Sequence, residues 1–139
     1  TACEARFTLE RSCAYLAAER RTDAHLKAMK HEIGEQSSPE LTDVDFCASD
    51  VAFHRTLVDA ADNPVLSYQL AGSIEAMQPL MNMITFTARD RARIIDLHGA
   101  IADAVEAADG NAAAAGLSAL EHETQTLARR VFASRAAKA

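Results

Sequence analysis

The sequence has no tryptophan, only three prolines and five glycines, and three cysteines, Cys3, Cys13 and Cys47, that share no CxxC spacing. An odd cysteine count in that arrangement argues against a disulfide framework or a thiolate zinc knuckle, and leaves the three as small core residues. Valine and isoleucine number only 12 together, too few to favour strands. Basic residues are also in the minority, with 14 Lys and Arg against 20 Asp and Glu and a formal charge of −6. Gripping DNA needs clustered cations to neutralise phosphates, so this piece is not expected to bind nucleic acid by itself. No apolar run approaches the ~18 residues of a transmembrane helix, and the first residues lack the basic and apolar regions of a signal peptide. The expectation is a soluble, cytoplasmic domain with no membrane partner.

What the chain does contain is alanine, 30 residues in 139, within a composition that is 49% apolar. That balance predicts an all-α protein. Turn chemistry then divides it at Thr22-Asp23, at Gln36-Ser37-Ser38-Pro39, at Asp62-Asn63-Pro64 and at Asp109-Gly110-Asn111, with Thr42 or Asp43 as a further N-cap. A further break falls near Thr85 to Asp90, because the segment from Val65 to Ala108 is too long for one ordinary helix. The result is an antiparallel bundle of about six helices, over 2–21, 23–35, 43–61, 64–85, 88–108 and 112–135. Residues 1–139 are expected to form one domain. A chain of this length buries roughly 65–70% of its unfolded surface, so a bound metal would serve function rather than folding. The helical pattern starts within a few residues of Thr1, which suggests a fragment of a longer protein.

The third helix carries the most informative pattern. With Asp50 at zero and 100° per residue, Phe46, Phe53, Leu57, Ala61, Cys47, Val58 and Val51 fall between about −60° and +100°, and His54 at about +40°. Asp50 and His54 therefore sit within an apolar stripe, while Asp45, Arg55 and Asp59 occupy the opposite arc. A carboxylate and an imidazole one turn apart on a buried face need partners. The fifth helix repeats the anomaly, with His98 among Ile94, Ile95, Ile101, Ala102 and Val105. Two readings stand: a buried Asp–His hydrogen bond that only satisfies itself, or a metal site, since imidazole and carboxylate donors suit Zn, Ni, Mn, Fe or Co. His122 is the fourth candidate, although Leu117, Leu120, Leu127 and Val131 form an apolar stripe roughly opposite it. It would reach the site by facing a polar cavity while the leucines pack elsewhere. His25 and His31, beside Lys27, Lys30 and Glu32, read as surface residues.

Glu4-Ala5-Arg6 through Leu9-Glu10, Leu16 to Arg20, Asp50-Val51-Ala52-Phe53-His54, Asp62 to Leu66, His98-Gly99-Ala100-Ile101 and the stretch from the Asp109 turn to His122 together resemble the FCD domain. That is the C-terminal, effector-binding domain of FadR-type transcription regulators in the GntR family, and the resemblance covers essentially the whole chain. It implies a divalent ion, with Zn, Ni or Mn favoured, held by one Asp and three His from separate helices. Asp50, His54 and His98 match the first three positions. His122 matches the fourth with a spacing from His98 a residue or two longer than usual. A longer turn at Asp109-Gly110-Asn111 would absorb the excess; otherwise three protein ligands remain and more room is left for water or effector.

The same resemblance implies a small organic acid as effector, bound at the ion's open positions, with Arg6 and Arg91 as candidate anion partners. For each arginine a surface ion pair is the competing reading. Asn63 would contact the ligand or cap the fourth helix before Pro64. The family places a winged helix-turn-helix domain before this one, absent from these residues, through which a homodimer would meet operator DNA. Two alternatives from other classes are a small metal-dependent hydrolase and a metal-free helical dimerisation domain. A hydrolase needs a positioned general acid or base besides the ligands, and no second carboxylate or histidine stands mid-stripe on a core face.

Overall fold

A computed structural model describes residues 1–87 and 90–138. It contains six helices and no strand among them: α1 (Ala2–Arg20), α2 (Asp23–Gln36), α3 (Asp43–Ala60), α4 (Pro64–Thr87), α5 (Arg91–Glu106) and α6 (Gly110–Lys138). The expected all-α bundle and its order of elements are observed. Of the expected fifth helix, residues 88 and 89 lie outside the described residues.

Local chemistry explains where the helices begin. The hydroxyls of Thr1, Thr22 and Thr42 accept the N–H of Glu4, His25 and Asp45, and the carboxylates of Asp90 and Asp109 do the same for Arg93 and Ala112. Each bond satisfies one of the amides that a helix start leaves without an intrahelical partner. At α2 the box is reciprocal, because His25 Nδ1 accepts the Thr22 N–H at 3.0 Å. Pro79 sits inside α4 without ending it. It is exposed, so water can serve the carbonyl its missing N–H would have bound.

α1 is the central strut, packing on α6 and also on α3, α4 and α5, while α2 closes over α3 and α5. Its inward side is Arg6, Phe7, Glu10, Cys13, Ala14, Ala17 and Ala18. The main core joins Phe7, Met29, Phe53, Leu57, Ile101, Leu117 and Leu120, and Cys13, Val58, Leu70 and Ile74 form a smaller cluster under α4. All three cysteines are free thiols, and burial pushes that of Cys13 up to about 11. α5 and α6 approach closely at Gly116, where a Cβ would stand 2.6 Å from Ile101 Cγ1.

The turn between α5 and α6 departs from glycine economy. Ala108, not Gly110, takes the left-handed conformation, at φ 57°. Since that conformation costs an L-residue roughly 1–2 kcal/mol, Ala108→Gly is expected to raise stability by about 1 kcal/mol despite glycine's added unfolded-state entropy. Gly116→Val should instead lower it by ~1–3 kcal/mol through overpacking against Ile101. Urea denaturation of both variants checks the pair, and stabilisation by Gly116→Val would show that the helix contact is looser than described.

Candidate metal centre

α3 enters the core with Asp50 and His54 one turn apart, and α5 brings His98 against them. One ligand atom from each of the three lies within 4.8 Å of the others. His54 Nε2 and His98 Nε2 both stand 3.2 Å from Asp50 Oδ1. The rings of the two histidines meet edge to face at 5.3 Å, and Phe53 stacks on His98 at 4.3 Å. Aromatic packing thus fixes the plane of the His98 ring while leaving its edge free. Both histidines are fully enclosed, whereas the Asp50 side chain keeps 15% of its exposure.

The far nitrogens of both rings are already engaged. His54 Nδ1 bonds Glu10 Oε1, and His98 Nδ1 donates to Gln36 Oε1 at 2.7 Å. Glu10 is buried in α1 and receives Arg6 Nε at 3.2 Å. Gln36, equally buried at the end of α2, donates its own Nε2 to Ser49 Oγ at 3.1 Å, and that hydroxyl donates to Glu32 O. Two acceptors behind the rings hold the Nδ1 protons, which directs both Nε2 atoms toward Asp50. This is the arrangement of an orienting outer shell behind metal-binding histidines. His98 Nε2 has no hydrogen-bond partner despite its distance from Asp50, so it is near the carboxylate without being aligned on it.

Charge follows the geometry. Burial would raise the carboxyls of Asp50 and Glu10, but the two imidazoles around Asp50, and His54 with Arg6 around Glu10, hold both below the usual carboxylate range. Burial would likewise lower His54, yet its two carboxylates push it up to about 9. For His98 burial prevails and the imidazole stays neutral, its affinity for a proton lowered.

A cavity opens over the cluster, lined by Asp50 and His54, by the apolar Phe46, Met81, Ile84, Ile94, Leu120 and Leu127, and by Thr85, Asp90, Arg91 and Thr124. Arg91 is among the lining residues, and the ion pair that was its competing reading is present, to Asp43. It donates to Leu41 O and Asp43 Oδ1 and lies over the Phe46 ring, while its Nε is enclosed and unpartnered. Three other expected residues are elsewhere. His122 is exposed and is not brought to the other three, because the α6 stripe of Leu117, Leu120 and Leu127 packs into the core instead of turning outward. Arg6 is buried behind the site, engaged by Glu10 and lying over the Phe7 ring, rather than in the cavity. Asn63 accepts the N–H of Leu66 at 3.2 Å, which is the capping role.

Three residues in or beside the cluster and cavity carry weaker signals in the sequence, or none. Glu10 follows Arg6 by four residues amid Phe7, Ala14 and Ala17, a charged pair inside an inward face that should have been read as buried. Thr124 fills the gap in the 3–4 spacing of Leu117, Leu120, Leu127 and Val131. Gln36 carries no such signal, since its position at a helix end reads as loop.

The raised His54 pKa has a pH consequence. Its ordinary value is 6.5, so the stability this imidazolium contributes is complete below that pH and is lost as pH rises through about 9. Glu10 and Asp50 act oppositely, their contribution being lost as pH falls through their lowered values. In chelator, the melting temperature should therefore fall by several degrees from pH 7 to pH 9.5, and His54→Gln should flatten that limb. A melting temperature that holds steady to pH 9.5 would mean that His54 is not protonated in the metal-free fold.

The sequence model described as the FCD domain matches residues 1–122. Among solved structures, E. coli McbR/YncC superposes with a TM-score of 0.81 at 17% identity, over 94% of this chain and 64% of that one. The chain therefore spans just under two thirds of that protein's length, and the likeness is one of fold. No curated protein sequence matches it. With the family model covering most of the chain and the bundle shared with a solved structure, this protein belongs to the FCD domain family.

Proposed function

We propose that this domain senses a small organic acid through a divalent ion held by Asp50, His54 and His98, and relays its binding to a DNA-binding domain within a homodimeric, cytoplasmic GntR-type regulator. The observation that carries the metal reading is the state of the two imidazoles. Each has its Nδ1 engaged by a buried acceptor and its Nε2 turned toward one carboxylate oxygen, with His98 Nε2 left without a partner. A self-sufficient Asp–His bond would explain one such ring but not two. Carboxylate and imidazole donors fit Zn, Ni or Mn. An ion there would supply a Lewis-acid anchor for a carboxylate.

The cavity supports the acid reading. Its walls are mostly apolar, and Arg91, whose Nε has no partner, is one of its lining residues. The sensor is favoured over a hydrolase because the other carboxylate lining the cavity, Asp90, is exposed and engaged in capping α5 through the Arg93 N–H at 3.1 Å, and is not enclosed beside the cluster. Relay to operator DNA would be a coupling of two binding equilibria, typically ~1–3 kcal/mol.

Elemental analysis of the tag-free domain after incubation with Zn, Ni and Mn salts tests the centre. About one equivalent of divalent ion is expected in the parent, and His54→Ala and His98→Ala should lose it. Gln36→Leu should weaken metal affinity ~10–100-fold in a competition titration, with Gln36→Glu retaining it. A parent that takes up no metal would leave a metal-independent sensor or a bare dimerisation domain. With the ion bound, a matching acid should raise the melting temperature without being turned over.

A further inference from the structure

α6 meets the cavity with Leu120, Thr124 and Leu127, so one hydroxyl lies within an otherwise apolar stripe. Thr124 is 1% exposed, and its Oγ1 is enclosed without a hydrogen-bond partner. A helical threonine ordinarily returns its hydroxyl to the carbonyl four residues back. Thr56 does so to Ala52 O at 2.9 Å, and Thr126, two residues on from Thr124, does so to His122 O at 3.0 Å. Thr124 does not. Enclosed polar atoms without partners are uncommon, and each calls for an explanation. Among the described residues there are four on side chains, and three of them, Thr124 Oγ1, Arg91 Nε and His98 Nε2, belong to the cavity or to the cluster beneath it.

We propose that Thr124 is a ligand-contacting residue that determines specificity, its hydroxyl donating to an oxygen of the small carboxylate that fills the open face above Asp50, His54 and His98. The inference rests on the metal reading above. Charge selects the ligand class. A divalent ion with one carboxylate and two neutral imidazoles remains positive, and Glu10 and Arg6 behind His54 cancel one another. An anion is therefore favoured on the open side, and an oxygen already bound to a cation still accepts a hydrogen bond. Thr124 and Arg91 are the lining residues with an unpartnered donor, whereas the Thr85 hydroxyl is engaged by Cys47, and the leucines on either side of Thr124 exclude competing water. A valine has the same shape and lacks only the hydroxyl.

The test uses the 139-residue chain loaded with cobalt(II), whose visible spectrum reports the coordination sphere, and acetate as the probe. Acetate should perturb the parent spectrum saturably. Thr124→Val should bind cobalt within about twofold of the parent but acetate ~10–100-fold more weakly, the range expected for losing a hydrogen bond to a charged group. Thr124→Ser should keep most of the acetate affinity, and circular dichroism melting should show both variants folded. Equal acetate affinity in parent and Thr124→Val overturns the proposal, as does a loss of cobalt as large as the loss of acetate, which would make Thr124 part of the ion's own support. A parent that binds cobalt yet ignores acetate also overturns it. Failure of the parent to bind cobalt is a different result, because it removes the metal centre itself.

Discussion

A line of polar side chains crosses this small helical core, and each member depends on the next. Arg6 meets Glu10, Glu10 meets His54, His54 and His98 converge on Asp50, and His98 leans on Gln36. Every one of these groups would be costly to bury alone. Together they join four helices, with α1 supplying Arg6 and Glu10, α2 Gln36, α3 Asp50 and His54, and α5 His98. The register of those helices is therefore set by polar pairing as well as by apolar packing, since sliding any one of them leaves a buried charge or donor without its partner.

This line is asymmetric in a way that bears on function. Its outer ends are satisfied, with Arg6 paired and Gln36 tied to Ser49. Its centre is not, because the His98 Nε2 lone pair has no partner and two residues lining the cavity beside Asp50, Arg91 and Thr124, carry unmatched donors. Stability alone gives no reason to gather the unsatisfied groups at the centre. Their concentration at the centre, under an apolar roof, is the pattern expected of a preorganised binding site, where the scaffold carries the strain and the ligand relieves it.

Much of this was legible in residues alone. Alanine content and turn signals were sufficient for six helices, because helix caps are local chemistry and each cap residue acts on an amide two or three positions away. Asp50, His54 and His98 were legible for a similar reason, since polar residues on an apolar stripe show themselves through the 3.6-residue period. At His122 the period pointed the right way and the resemblance did not. Its neighbours on the helix surface are polar, as an exposed residue's are, and the resemblance to a family pattern outweighed a face that pointed to solvent. Ala108 also lay beyond sequence reading, since a glycine two residues later looked like the natural turn residue.

The sequence by itself determined which faces of the helices are buried, where they begin, and which chemical groups are carried inward, because all of these follow from spacing along one chain. Only the tertiary structure decided which inward groups meet. The pairing of Glu10 with His54 spans 44 positions and that of Gln36 with His98 spans 62. The turn of α6 that presents Thr124 to the cavity and leaves His122 in solvent belongs to the same class. Such encounters depend on how helices cross and rotate about their axes, and a rotation of a single residue step, about 100°, exchanges an inward side chain for a surface one.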